Sequence, residues 1–262
     1  MFKKIMTIIV LIVLATGCFY NNQLMGADST IQMVNVGDDN YVYQYKSVVN
    51  AYIVLEQSGY TSYDNSILGD DVCLKPNGDG SYFIDFDAKP NLMYAFYDLN
   101  GNGIPELLIG ADLGKADGVA MPDVFITGIY GLQDGKPVSL IQVDAWSQLN
   151  ILTNNSYNSI IKITSGTHIE YVAEKFYKID EKETLITLDK LYTYGKIKDY
   201  NEPDDIIYSH TKDVDGKEVS ITQPEYLGLM QKYGSVGYID TAGDLKNNEI
   251  VIDSWKPLMA YK

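Results

Sequence analysis

The segment YAFYDLNGNGIPELLIG, Tyr94 to Gly110, organises the reading of the whole chain. Its ends belong to apolar runs, Leu92 to Asp98 and Leu107 to Ile109, with the length and composition of buried strands. Between them, oxygen-bearing side chains recur two residues apart at Asp98, Asn100 and Asn102. Gly103 permits a sharp turn, the carbonyl of Ile104 follows, and Glu106 adds a second carboxylate. Alternating oxygens in a short loop can surround a hard cation, and calcium takes six to eight of them at about 2.3–2.6 Å. The candidate metal ligands are therefore Asp98, Asn100, Asn102, Ile104 and Glu106, with Ca2+ as the expected ion. The competing reading is a plain turn held by Asx hydrogen bonds from Asn100 and Asn102. Such a turn has no need of Glu106. In both readings the element is strand–loop–strand.

On either side of this loop the hydrophobic period remains that of strands. Val72 to Leu74 and Tyr82 to Phe86 flank an Asn77–Gly80 hairpin signal. Val124 to Tyr130 and Val138 to Val143 flank Gln133–Lys136, and Ile206 to Thr211 and Glu218 to Ile221 flank Asp213–Gly216. Strands are also expected at Ile151–Leu152, Ile160–Thr164, Ile169–Ile179, Leu185–Tyr194 and Ile250–Ile252, with Trp255 beneath the last. Short connections favour antiparallel pairing. A helix capped by Asp38 or Asp39 runs to about Gln57, because Tyr45, Val48, Val49, Tyr52 and Ile53 form one stripe and Gly59 stands at the stop. A second opens on the capping box Thr222–Glu225 and closes at Gly234. The expected fold is α+β: a single antiparallel β-rich domain over residues 40–262, a meander sheet or a sandwich, with a helix near each end.

The N-terminus reads as an export signal. Lys3 and Lys4 precede the apolar run Ile5–Ala15, which as a helix spans about 16 Å, half of a bilayer's hydrocarbon core. Leu14-Ala15-Thr16-Gly17-Cys18 follows directly and resembles a bacterial lipobox. That resemblance implies cleavage before Cys18, a diacylglycerol on its sulfur, and stable anchoring by acyl chains at the outer face of the bacterial cytoplasmic membrane. Residues 1–17 are then the signal peptide and residues 18–39 a polar tether.

The loop is no EF-hand, which needs a bidentate acid at its twelfth place, here Ile109. It resembles the strand–loop–strand calcium loops of FG-GAP and VCBS repeats, in which an acid stands at the ninth place. The likeness covers Tyr94–Gly110 once, and a propeller needs several blades, so the propeller fold does not follow. Tyr94–Gly110 after a lipobox, with Trp255–Leu258 near the end, is also similar to a group of uncharacterised exported lipoproteins of Gram-positive bacteria. That group implies no activity.

Composition narrows the function classes. The chain has 262 residues, 46% of them hydrophobic, and a net charge of −15, which becomes −17 once residues 1–17 and their two lysines are removed. Every cation is a lysine. Such a surface does not bind nucleic acid, whose phosphates need clustered positive charge. Cys73 is the only thiol left after processing, so no internal disulfide forms, and it reads as a core residue. His168 and His210 are too few for a zinc site. Ser159 and Lys162 match a Ser-x-x-Lys pattern, but on a strand they face opposite ways. The 22 tyrosines suit half-buried sheet faces, while exposed rings such as Tyr192 and Tyr194 could stack on a ligand. The expectation is a lipid-anchored extracytoplasmic protein with a calcium-stabilised binding or structural module, contacting an envelope protein or glycan, rather than an enzyme. The alternative is an envelope polysaccharide hydrolase using a carboxylate pair.

Overall fold

A computed structural model describes residues 39–61, 64–68, 90–112, 124–143, 147–154, 156–167, 171–199, 202–211, 216–235, 250 and 252–261. The signal peptide, Cys18, residues 19–38 of the tether, Cys73, the Asn77–Gly80 hairpin, His168 and the Asp213–Asp215 turn lie outside these residues.

Four layers stack in the order helix, sheet, sheet, helix. Sheet one holds β1 (Asn91–Tyr97), β2 (Glu106–Asp112), β3 (Val124–Gln133) and β4 (Lys136–Gln142), with β11 (Lys256–Pro257) added beside β1. Sheet two holds β5 (Ser147–Asn154), β6 (Asn158–Thr167), β7 (Tyr171–Ile179), β8 (Leu185–Asp199), β9 (Glu202–Thr211) and β10 (Glu218–Ile221). Within each sheet, strands consecutive in sequence pair antiparallel, as short connections require. The antiparallel β-rich α+β fold read from the sequence is therefore the fold observed. The meander and the sandwich both occur, as two meanders packed face to face.

Strand alternation sorts the core. On β2, Leu107, Ile109 and Ala111 face a cluster with Val48, Val49, Tyr52 and Leu55 of α2 (Lys46–Gln57). Leu108 faces the other way and joins Ile129 and Ile141 of sheet one with Leu149, Ile151, Ile161 and Ile179 of sheet two. Covered on both sides, β2 is the apolar run seen in the sequence. The outer face of sheet two presents Leu152, Ile160, Phe176, Leu191 and Tyr208 to Tyr226 and Met230 of the C-terminal helix, Gln223–Lys232. Numbered after α1 (Asp39–Gln44), α2 and α3 (Asn65–Leu68), that helix is α4.

The helix ends follow their caps. Thr222 and Glu225 form the expected reciprocal capping box at the start of α4. Both α2 and α4 stop on a left-handed glycine, Gly59 (φ 69°) and Gly234 (φ 75°). The next N–H reaches back five residues, Tyr60 to Leu55 at 2.8 Å and Ser235 to Met230 at 3.0 Å.

Three boundaries differ from the sequence reading. The first helix breaks at Tyr45, so α1 and α2 are separate. Asp39, read as tether, already belongs to α1. Val251 of the expected strand Ile250–Ile252 lies outside the described residues, and Ile250 and Ile252 are not in a strand; Ile250 makes a backbone bond to Ile151 (2.8 Å), while the edge of β1 pairs with Lys256–Pro257, the last strand among the described residues. Proline fits there because an edge strand can spare an N–H.

Many tyrosines serve as core residues whose hydroxyls end on an acceptor. Tyr52 and Tyr130 share a hydrogen bond of 3.0 Å across α2 and β3, and Tyr60 donates to the Pro90 carbonyl at 2.7 Å. Tyr192 and Tyr194 are half-buried and cluster with Tyr171.

Candidate cation site

The loop between β1 and β2 is built around one carboxylate. Asp98 Oδ1 accepts the N–H of Gly101 at 2.7 Å and of Asn102 at 3.2 Å, and Oδ2 accepts that of Gly103 at 2.8 Å. Asn100 Oδ1 accepts from Asn102 N (3.0 Å), and Asn102 Oδ1 from Ile104 N (2.7 Å). Gly101 (φ 76°) and Gly103 (φ 84°) take the left-handed conformations that close the turn. The Asx hydrogen bonds of the plain-turn reading are thus present. Ile104 contributes its N–H here, and its side chain is exposed. Tyr41 and Tyr45, from the helical segment below, donate to the carbonyls of Gly103 (3.2 Å) and Pro105 (3.0 Å).

Glu106 takes no part in those Asx bonds. The first residue of β2, it is fully buried and lies on the same strand face as Leu108, towards sheet two. Its Oε2 accepts the Leu99 N–H at 2.7 Å, but its Oε1 has no hydrogen-bond partner among the described residues. Burial, followed by the nearby Glu183 and Asp98 carboxylates, pushes Glu106 up to about 9, against the pull of the Leu99 N–H. The Tyr45 hydroxyl is also pushed above its ordinary range, by burial and then by Glu106 and Glu183.

Glu183 is the residue that the sequence reading missed. It sits in the turn between β7 and β8, 3% exposed, with a left-handed backbone (φ 55°). Its Oε1 receives the side-chain amides of Asn100 (3.0 Å) and Asn102 (2.8 Å), while its Oε2 is buried without a partner among the described residues. Asn100 also donates to the Asp180 carbonyl at 3.1 Å, and Asn158, from the turn between β5 and β6, donates to the Asn100 carbonyl at 2.7 Å. Two turns of sheet two therefore grip one loop of sheet one. Asp98, Asn100, Asn102 and Glu106 share this loop and the start of β2, and Glu183 joins them from sheet two through the Asn100 and Asn102 amides. Among the described residues no group of three or more His, Cys, Asp or Glu is arranged to hold a metal ion as it stands.

Of the histidine and lysine signals, Lys162 and His210 lie among the described residues, and each is engaged by a buried acid. Lys162 lies on β6 and pairs with Glu174 at 2.9 Å. His210 contacts Asp189, which also accepts from the Tyr233 hydroxyl at 3.0 Å.

The raised Glu106 has a signed consequence. Between about pH 4.5 and 9 the folded, chelator-treated chain keeps a proton that the unfolded chain has lost, so stability falls as pH rises. The Glu183 and Asp98 carboxylates face this carboxyl and oppose its ionisation, while the Tyr45 hydroxyl stays neutral throughout this range. The urea midpoint is expected to drop between pH 5 and 9 in the metal-free protein, and Glu106→Gln to flatten the drop. A midpoint that climbs across this range would contradict a buried neutral Glu106.

Comparison with family models, with curated proteins and with solved structures finds no match for this chain.

Proposed function

We propose that this chain is a lipid-anchored extracytoplasmic protein whose β-sandwich is stabilised by one calcium ion at the Asp98–Glu106 loop. It serves as a binding or structural module at the outer face of the bacterial cytoplasmic membrane. The observation that carries the ion is the buried oxygen Glu106 Oε1, which has no partner among the described residues. An orphaned buried acceptor of this kind costs about 1–3 kcal/mol, more when charged. The donor set fits calcium, because every candidate group is a carboxylate, amide or carbonyl oxygen. Asp98 and Glu106 would hold the ion with the amide oxygens of Asn100 and Asn102 and the Ile104 carbonyl. Bound there, calcium supplies the positive charge that lets buried carboxylates ionise.

The carboxylates that the fold draws together favour a module over a hydrolase. Glu106 and Glu183 are closed to solvent, so a polymer cannot reach them. Anchoring rests on the Leu14–Cys18 segment together with the apolar run before it. No helix among the described residues is long and apolar enough to cross a membrane. Growth with radioactive palmitate tests the anchor: the parent chain is expected to carry label, and Cys18→Ala to lose it and to leave the membrane fraction. Equal label in both would remove the anchor from this reading.

A further inference from the structure

We infer that the cation site spans both sheets, with Glu183 of the β7–β8 turn ligating the same ion as the β1–β2 loop, so that calcium clamps sheet one to sheet two. The inference rests on the calcium reading and adds a ligand and a mechanical role to it. Three observations converge on Glu183.

First, its carboxylate is almost completely buried, and among the described residues Oε2 lacks a partner just as Glu106 Oε1 does. Two buried carboxyl groups, each with one oxygen that has no partner among the described residues, call for a shared positive charge. No lysine or histidine among the described residues pairs with either one.

Second, β3 leaves room for this group. A Cβ on Gly131 would stand 2.3 Å from Glu183 Oε2, so the strand carries glycine where the carboxylate rests. The backbone carbonyl of Glu183 is tied in turn to Gln133 Nε2 at 2.7 Å.

Third, Asp180 at the start of the same turn is already spent, and Glu181 is exposed. Asp180 Oδ1 accepts the N–H groups of Lys182 (2.9 Å) and Thr184 (2.8 Å), which caps the turn and leaves Glu183 as the side chain directed to the loop. Asp98, Glu106 and Glu183 are not arranged around a metal ion as the chain stands, so calcium draws the third carboxylate in, and affinity rises with the number of ligand charges.

The clamp gives effects of opposite sign that a purely structural Glu183 would not. In chelator, Glu183→Gln takes a charge out of the buried site, and the amide keeps an oxygen for Asn100 and Asn102, so the variant is expected to melt above the parent. In calcium the order reverses: the variant loses most of the calcium-dependent rise, and its calcium Kd increases at least tenfold. A second readout needs no variant. In the parent full chain, calcium is expected to slow amide hydrogen exchange at Asp180–Thr184 as well as at Asp98–Glu106.

If the parent responds to calcium but Glu183→Gln responds equally, with protection confined to Asp98–Glu106, the clamp is overturned and the loop site stands. If the parent shows no response to calcium, the loop site fails and the clamp fails with it. If Glu183→Gln is more stable under both conditions and calcium changes nothing, Glu183 is a buried charge and no ligand, and the clamp is again overturned.

Discussion

Lys162→Ala is expected to lower the unfolding free energy by about 3–5 kcal/mol, the cost of leaving a buried charge without its partner. Lys162 and Glu174 stand on adjacent strands of sheet two beneath α4, with side chains 5% and 1% exposed. Their contact of 2.9 Å is ionic and lacks the geometry of a directed hydrogen bond. Lys162 Nζ also donates to Ser235 Oγ at 2.9 Å, and the Tyr226 hydroxyl donates to the other Glu174 oxygen. Removing the ammonium strands a carboxylate inside the cluster of Phe176, Leu191 and Met230. Removing the whole set is milder, because nothing charged is left behind: Lys162→Met with Glu174→Leu and Tyr226→Phe is expected to cost less than Lys162→Ala alone. Urea unfolding measures both. A single-variant loss below about 1 kcal/mol would show that Glu174 finds another partner or a proton.

Calcium is expected to give the second large effect. A site of this class outside the cell has Kd of roughly 10⁻⁴ to 10⁻³ M. At 10 mM calcium, a Kd near 10⁻⁴ M stabilises the folded chain by about 2.7 kcal/mol. For a chain of this length that raises the melting midpoint by roughly 5–10 °C. Asp98→Ala removes the acceptor of three loop N–H groups, from Gly101, Asn102 and Gly103, so it is expected to melt lower than the parent in chelator. It is also expected to erase the calcium-dependent rise. A midpoint that is the same in chelator and in calcium would exclude a stabilising ion at this loop.

How far the sequence could be read depended on whether the relevant signal was local. The strand period around Tyr94–Gly110, the capping box at Thr222–Glu225 and the glycines Gly59 and Gly234 act over a few residues, and each stands where the pattern placed it. Two facing meanders were legible as a class only, since no short-range pattern says which strand edges stay open. The C-terminal strand shows the difficulty. Ile250 and Ile252 have strand composition, yet Lys256 and Pro257 took the edge of β1 because Trp255 packs against Gly110, where a Cβ would come within 3.0 Å of the ring. Glu183 was hidden for the same reason. Its turn carries an ordinary run of charged residues, and nothing in its spacing ties it to Asn100 and Asn102, 83 and 81 residues away. Buried pairing of Lys162 with Glu174 was equally silent, because a lysine on a strand reads as solvent-facing until α4 covers it.

Calorimetric titration of the full chain with calcium at pH 7 and physiological salt tests the ion most directly. One saturable event with a stoichiometry near one is expected, lost in Asp98→Ala and weakened in Glu183→Gln. Heats no larger than those of dilution up to 10 mM calcium, from a protein that is folded by circular dichroism, would contradict it.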